Sequence, residues 1–205
     1  MTENQYHEQT ATNQTFIQKL KRIIFSVGTF IFIVGIVFSI GFSTALDKTN
    51  QLEFCTSCHS MNMKAYSEYQ ESIHYKNRVG VRASCADCHV PKELGPKLLA
   101  KFMAYKDTLN EILGKIDTPE KYEAHRLEMA TRVWDKMKER DSKECRNCHK
   151  VEAMNLSDQS KSASKKHARL LDGDTDKTCI DCHKGIAHKL PEESDKLPGE
   201  PEPKS

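Results

Sequence analysis

The stretch CIDCH, from Cys179 to His183, is one of four copies of a single pattern in this 205-residue chain. The other copies are CTSCH from Cys55, CADCH from Cys85 and CRNCH from Cys145. All eight cysteines therefore lie in CxxC pairs, and every pair is followed directly by histidine. Histidine makes up only 9 of the 205 residues, so four such placements by chance have a probability on the order of 10⁻⁶. Composition does not explain the pattern.

The pattern is typical of covalent haem attachment. Two thiols three residues apart can form thioether bonds to the two vinyl groups of one haem, and the following histidine can reach the iron. Zinc is the main alternative, because CxxC pairs also build tetrahedral zinc sites. The fourfold histidine and the membrane segment described next favour haem. The sequence therefore predicts four c-type haems, held by Cys55, Cys58, Cys85, Cys88, Cys145, Cys148, Cys179 and Cys182.

A long apolar segment lies before the first motif. Residues 23–46, IIFSVGTFIFIVGIVFSIGFSTAL, carry no charge over 24 positions. As a helix they would be about 36 Å long, enough to cross a hydrocarbon core of roughly 30 Å. A cleaved signal peptide is the alternative, but the apolar region of such peptides is only about 7–15 residues long. We therefore expect an uncleaved transmembrane anchor.

Charge and haem chemistry together predict the orientation of this anchor. Lys19, Lys21 and Arg22 crowd its N-terminal end, which favours a cytoplasmic location for that end. Covalent c-type haem attachment takes place on the periplasmic side of a bacterial inner membrane. The sequence thus predicts a cytoplasmic segment 1–22, the anchor 23–46, a periplasmic tetrahaem domain 47–191, and a proline-rich, charged, disordered tail 192–205.

The predicted periplasmic part contains an internal repeat. In each half a histidine precedes the second motif: His74 lies 11 residues before Cys85, and His167 lies 12 residues before Cys179. Residues 119–140, between the halves, have helical periodicity. Asp117 or Thr118 could cap this helix, with proline in its first turn.

Composition limits both the fold and the function. The chain is 38% hydrophobic, with a mean hydropathy of −0.65, so little apolar material remains for a core beyond the anchor. Four large haems would replace much of it. We expect a mostly α-helical fold with long loops: one N-terminal transmembrane helix, then a multihaem cytochrome c domain built from two di-haem repeats. The net charge of +2 without a long basic run gives no support for nucleic-acid binding.

Each low-spin haem needs a second iron ligand on its other face. Outside the motifs, the predicted periplasmic part holds four histidines. One of them, His125, lies in register with Tyr122 and Met129 on a predicted helix and is expected to be packed or solvated rather than a ligand. His188 lies five residues after His183, at most about 17 Å along the chain, and more plausibly reaches a neighbouring haem. The remaining candidates are His74, His167 and His188.

Three histidines leave one haem without a distal ligand. Met61 and Met63 follow the first motif. Methionine is a known haem ligand, although these side chains could equally fill space near the membrane.

Several stretches together resemble the NapC/NirT family of membrane-anchored tetrahaem cytochromes c, which act as quinol dehydrogenases. The resemblance extends from the anchor to residue 191. Its motifs are CTSCHSM at 55–61, HYKNRVGVRASCADCHVPKELGPK at 74–97, DSKECRNCH at 141–149 and CIDCHKGIAH at 179–188. The details are most similar to the branch associated with periplasmic nitrate reductase, and the short C-terminal end predicts a tetrahaem rather than a pentahaem relative.

The resemblance implies a ligand set. Met61, rather than His59, would ligate the first haem, with Asp107 at its other face. Lys101 would lie beside the quinol headgroup. The other implied iron ligands are the pairs His89 with His188, His149 with His74, and His183 with His167.

The implied quinol site raises a question of geometry. Cys55 follows the anchor by only nine residues, so the first haem is expected near the membrane surface. Residues 97–113 have apolar side chains at helical spacing, as an interfacial helix would. On a straight helix, however, Lys101 and Asp107 would point about 120° apart. Either the helix is irregular there, or the two residues flank the site from different sides.

The resemblance also implies partners. The chain would oxidise menaquinol or ubiquinol in the bacterial inner membrane. It would then pass electrons to a periplasmic reductase or its small cytochrome subunit, with nitrate reductase as the first candidate. The alternatives are an electron wire without its own quinol site, and a quinol dehydrogenase that serves a nitrite or other reductase. A homo-oligomer is a further expectation.

Overall fold

The computed structural model describes the backbone of residues 3–192 and the side chains from residue 18 to residue 192. The predicted tail lies outside the described residues from position 193 onward. The described chain is helical, with long connecting loops and no strand between residues 3 and 192. The predicted mostly α-helical class is therefore confirmed. Contacts within the chain divide it into two units, and the boundary in the sequence lies between Thr49 and Asn50.

The first unit is one long helix, α1, which spans Glu3–Lys48. The most apolar 18-residue stretch of its segment Gln18–Lys48 has a mean hydropathy of 2.7 and is not buried inside the protein. An exposed apolar helix of this length fits a membrane anchor.

The second unit consists of short helices around one longer one. Its first half contains a π-helix after the first motif, at Met61–Tyr66. Two 3₁₀ turns, Val151–Ala153 and Leu156–Asp158, lie in the second half. The α-helices are α2 Leu52–Cys55, α3 Ser67–Gln70, α4 Cys85–His89, α5 Leu94–Met103, α6 Tyr105–Ile112, α7 Pro119–Glu139, α8 Lys143–Arg146, α9 Lys161–Leu171 and α10 Cys179–Cys182.

Helix α7 forms where its periodicity predicts. Of the two candidate caps, Thr118 is the one used, since its hydroxyl accepts a hydrogen bond from the Lys121 N–H, and Pro119 occupies the first turn. The helix ends at Glu139, one residue before the predicted end. The chain then turns through two consecutive left-handed residues, Asp141 and Ser142.

The second unit has very little protein core. Among the described residues, the buried hydrophobic side chains are only Ala65, Tyr69, Ile116, Val151 and Ile180. A unit of this size normally buries a much larger apolar area to offset the entropy lost on folding. The polypeptide alone therefore does not account for a stable fold.

The second motif of each half begins in the same way. The Ser84 N–H donates to the Asp87 carboxylate at 2.8 Å, and the Thr178 N–H donates to Asp181 at the same distance. Both motifs thus start a short helix with a hydroxyl residue before the first cysteine and an aspartate two residues after it, which satisfies free backbone N–H groups. At these two motifs the sequence repeat is thus accompanied by the same local structure.

Ser142 joins the third and fourth motifs. It is fully buried, and its hydroxyl lies 2.6 Å from the Thr178 hydroxyl and accepts the Ile180 N–H at 3.1 Å. These bonds link the residue before α8 to the residues that begin α10.

We expect Ser142→Ala to destabilise the second unit by about 1–3 kcal/mol, because it leaves the buried Ile180 N–H and Thr178 hydroxyl without this partner. Chemical denaturation followed by circular dichroism measures the change. Ser162→Ala is the matched control, since Ser162 is exposed on α9, and it should change stability by no more than about 0.5 kcal/mol. Equal stabilities of the two variants would show that the Ser142 hydrogen bonds do not stabilise the second unit.

Candidate haem and quinol site

The two motifs of each half meet through their first cysteines. The Cys55 and Cys85 thiols lie within hydrogen-bonding reach of each other, as do those of Cys145 and Cys179. In the middle of the unit, α4 contacts α8, which brings the second motif beside the third. Consecutive motifs along the chain are thus neighbours in space.

Three pairs of histidines face each other. The ring centres of His74 and His149 are 6.2 Å apart, those of His89 and His188 are 6.1 Å apart, and those of His167 and His183 are 6.0 Å apart. In every pair one member belongs to a CxxCH motif and the other lies outside the motifs, between 16 and 99 residues away in the sequence. The structure brings together the same partners that the family resemblance implies.

The spacing within these pairs suits one metal ion between two imidazoles. A ligating imidazole nitrogen lies about 2 Å from the metal, and the ring centre lies about 1.2 Å beyond the nitrogen. Two imidazoles on opposite faces of one iron therefore have centres about 6.3 Å apart. All three measured distances are close to this value, so these residues fit the haems that the motifs predict.

The protonation of the histidines also fits metal binding. Burial lowers the pKa of His89 to about 4, with a smaller contribution from His188. Burial is likewise the main reason that the pKa values of His183 and His188 are lowered. These imidazoles are therefore neutral near pH 7 and have a lone pair to offer a metal. The Nδ1 of His74 is buried without a hydrogen-bond partner, and the His188 ring lies within hydrogen-bonding reach of the Ala65 backbone.

Two side chains that the sequence did not point to support these histidines. The Nδ1 of His167 lies 2.6 Å from the Gln159 side-chain oxygen, which leaves the other ring nitrogen for a metal. The Tyr69 hydroxyl donates to the carbonyls of His74 and Ala83 and so closes the loop between them. Sequence alone does not reveal this contact, because Gln159 lies eight residues before His167 and outside the helix that carries it.

The helix that carries Lys101 and Asp107 is broken between them. Helix α5 ends at Met103 and α6 begins at Tyr105, with Ala104 as the shared cap. Of the two predicted alternatives, the irregular helix is therefore the one found. Several apolar side chains of this helix pair are exposed, namely Leu94, Leu99, Phe102, Leu109, Ile112 and Leu113, as expected of an interfacial segment.

Lys101 lies near the first motif. The pKa of the Cys55 thiol is lowered to about 7, chiefly by its hydrogen bond with Cys85 and further by the Lys101 ammonium. The cationic end of Lys101 is therefore within electrostatic range of the first cysteine of the first motif.

Asp107 lies on α6, one turn before a residue that contacts the first motif. One turn further along α6, the Glu111 carboxylate accepts the N–H of Ser60, the residue directly after His59, at 3.1 Å. Residues four apart on a helix share a face, with Cβ atoms about 5–6 Å apart. Asp107 is itself exposed and pairs with Arg132 at 3.4 Å. Lys101 is thus near the first motif, and Asp107 lies one turn away from the α6 residue that contacts it.

Asp107 also lines an open cavity of about 140 Å³ between α6 and α7. His125, Glu128 and Arg132 line the same cavity. His125 is half-buried, and its Nδ1 lies 2.9 Å from the Lys121 carbonyl oxygen. The cavity therefore combines Asp107 with other groups that can hold or pass a proton.

Met61 begins the π-helix that follows the first motif and is 39% exposed. π-Helical turns are rare and often occur at functional sites. The turn places Met61 two residues after His59 with its side chain accessible, so both remain available as ligand candidates for the first haem.

Comparisons with known proteins agree with this geometry. The model of the NapC/NirT cytochrome c family, N-terminal region, matches residues 17–193. Cytochrome c-type protein NapC of Escherichia coli strain K12 is 53% identical over 169 residues, which cover 82% of this chain and 83% of that protein. A putative tetraheme cytochrome-c type protein of Allochromatium vinosum is 53% identical over 164 residues, 80% of this chain and 88% of that protein.

A further relative is the denitrification system component NirT of Stutzerimonas stutzeri. It is 51% identical over 160 residues, which cover 78% of this chain and 79% of that protein. No solved structure matches the chain. The extent of the family match and these identities, together with the four motifs, show that the chain belongs to the NapC/NirT family of cytochrome c-type electron-transfer proteins.

Proposed function

We propose that this chain is a membrane-anchored tetrahaem cytochrome c that oxidises membrane quinol and passes the electrons to a periplasmic terminal reductase. One observation carries the proposal: Lys101 lies within electrostatic range of the first motif and Asp107 lies one turn before the α6 residue that contacts it, whereas the other three motifs each lie beside a histidine pair. The first motif thus differs from the other three, because the groups near it can donate hydrogen bonds and accept protons.

The eight motif cysteines would hold four haems, and the three histidine pairs would ligate three of the irons. The first iron would take Met61, with Asp107 near its other face. Haem c, when bound, accepts and releases one electron at a time. Because consecutive motifs are neighbours, the chain holds its four attachment sites in a continuous row.

The protein side chains would handle the protons. Oxidation of a quinol to a quinone releases two electrons and two protons. The Lys101 ammonium can donate a hydrogen bond to a quinol oxygen and so orient the ring, while the Asp107 carboxylate can accept a hydroxyl proton. The cavity that Asp107 shares with His125 and Glu128 gives that proton a route to solvent.

The anchor would fix the direction of the reaction. We propose that residues 1–22 lie in the cytoplasm, residues 23–46 span the inner membrane, and residues 47–191 lie in the periplasm. Protons from the quinol would then be released on the periplasmic side.

The names of the relatives suggest the electron acceptor. Relatives named NapC support a periplasmic nitrate reductase or its small cytochrome subunit, and the relative named NirT supports a denitrification enzyme as the second candidate. The competing function is an electron wire that a separate dehydrogenase reduces, without quinol chemistry of its own.

Anaerobic mixing of the purified, haem-loaded chain with a soluble menaquinol or ubiquinol analogue tests the proposal. We expect the haem absorbance to change to the reduced form without any added dehydrogenase. Mass measurement of the same sample should find four added haems. A chain that dithionite reduces but neither quinol analogue reduces would be a wire.

A further inference from the structure

Helix α7 buries a charged residue, Arg126, on the face that also carries Tyr122 and Met129. Arg126 is only 7% exposed, and its partner Glu68, at the start of α3, is 9% exposed. The two guanidinium Nη atoms donate to the two Glu68 carboxylate oxygens at 2.6 and 2.9 Å. This geometry is the two-pronged pairing that makes arginine the preferred partner of a carboxylate.

Both members of the pair also bind the backbone of one residue in the C-terminal loop. The Lys189 N–H donates to Glu68 at 3.0 Å, and Arg126 donates to the Lys189 carbonyl at 3.1 Å. Lys189 directly follows His188. The buried pair therefore fixes the peptide groups on both sides of Lys189, next to the histidine that faces His89.

The loop that carries His188 is tightly folded as well. Gly185 has a φ of +73°, and a Cβ at this position would lie 2.8 Å from the Leu190 Cγ. The chain between Gly185 and Leu190 therefore doubles back on itself, with His188 in its middle. Such a loop has little regular hydrogen bonding of its own, so it needs an outside partner to hold one conformation.

A second carboxylate completes the cluster on its outer side. Glu123 receives two further bonds from Arg126, at 2.5 and 2.8 Å. Lys64, in the π-helix, pairs with Glu123 at 3.0 Å. Arg126 thereby links α3, α7 and the C-terminal loop, whereas Lys64 touches only the outer carboxylate.

Stability alone is a poor explanation for this arrangement. Burying charges costs free energy, and apolar side chains of similar size often give equal or greater stability. A fully hydrogen-bonded polar cluster does, however, impose a single geometry on the groups that it binds. Here that group is the backbone beside His188.

We propose that Arg126 and Glu68 are positioning residues that hold His188 against His89 as an iron ligand. This inference rests on the ligand pairing in the proposed function. Partners outside the ligand set usually change metal affinity about 10–100-fold when they are removed. Loss of the cluster should therefore free His188 from its haem in a measurable fraction of molecules, while all four thioether-bound haems stay attached.

Carbon monoxide is a direct probe, because it binds a reduced haem only where a ligand position is open. We would compare the purified, haem-loaded chain with Arg126→Met, Glu68→Gln and His188→Ala in detergent, measuring carbon monoxide bound per chain and the ferric spin-state spectrum. His188→Ala should add one carbon monoxide site above wild type and convert one low-spin signal. Arg126→Met should add a site with the same spectral signature.

The matched control is Lys64→Met, which removes a charge from the same cluster without touching Lys189. It should leave the carbon monoxide stoichiometry at the wild-type value. If Arg126→Met does not accumulate with four haems, Glu68→Gln decides the question, because it preserves size and weakens only the bonds to Arg126 and Lys189. Wild-type carbon monoxide binding in the folded cluster variants would overturn the inference.

The same set separates this inference from the proposed function. If His188→Ala itself added no site, the ligand pairing would be wrong. If His188→Ala added a site and the cluster variants did not, only the positioning role would be wrong.

Discussion

Asp107→Asn should slow the reduction of the haems by a quinol analogue by about 100- to 1,000-fold, in the range that a positioned general base contributes. Asparagine has nearly the same shape but cannot take up the hydroxyl proton. Asp107 is 65% exposed, and its ion pair with Arg132 is exposed as well, so stability should change little. Stopped-flow absorbance measures the rate.

Controls separate quinol chemistry from damage to the haems. Dithionite should reduce the variant as fast as the wild type, because it needs no base. Asp135→Asn is the matched substitution, because Asp135 is also exposed but is not part of the proposed quinol site. It should leave the rate of reduction by quinol unchanged. Lys101→Met should raise the quinol concentration needed for half-maximal rate. Unchanged quinol kinetics in both Asp107→Asn and Lys101→Met would favour the wire.

A chain without haem should lose essentially all the stability of its second unit. Net stabilities of folded domains are only about 5–15 kcal/mol, and five buried apolar side chains cannot supply the burial behind that figure. With all eight cysteines replaced by alanine, we expect circular dichroism to show low helicity beyond α1 and no cooperative thermal transition.

A graded variant tests the same idea. Cys179→Ala with Cys182→Ala removes one haem and leaves three, so it should lower the melting temperature without abolishing the transition. The matched control is Ser162→Ala, which touches no motif. A cooperative transition at the wild-type temperature in the haem-free chain would show that the polypeptide has a sufficient core of its own.

Local patterns in the sequence predicted local structure well. The uncharged segment lies in α1, and the cap and proline at the start of α7 lie where expected. These features depend on residues a few positions apart, so the sequence displays them directly. The histidine pairs depended on family resemblance, because their members are far apart in the chain.

Features that depend on distant contacts were missed. Helical periodicity predicted α7, with Tyr122 and Met129 in register on one face, but the buried residue of this helix is Arg126. Its main partner, Glu68, lies 58 residues earlier, and nothing local marks the pair. The break at Ala104 was foreseen only as one of two alternatives, since alanine is normally a strong helix former. The domain boundaries remain predictions.

In each half, the first cysteines of the two motifs contact each other, and this affects whether the chain can fold before haem is attached. In an oxidising compartment, two free thiols within reach of each other can couple into a disulfide. A Cys55–Cys85 or Cys145–Cys179 crosslink would block two attachment sites at once. A chain that stays extended until its cofactors arrive would keep these sulfurs apart, so the scarcity of apolar core would work against this crosslink.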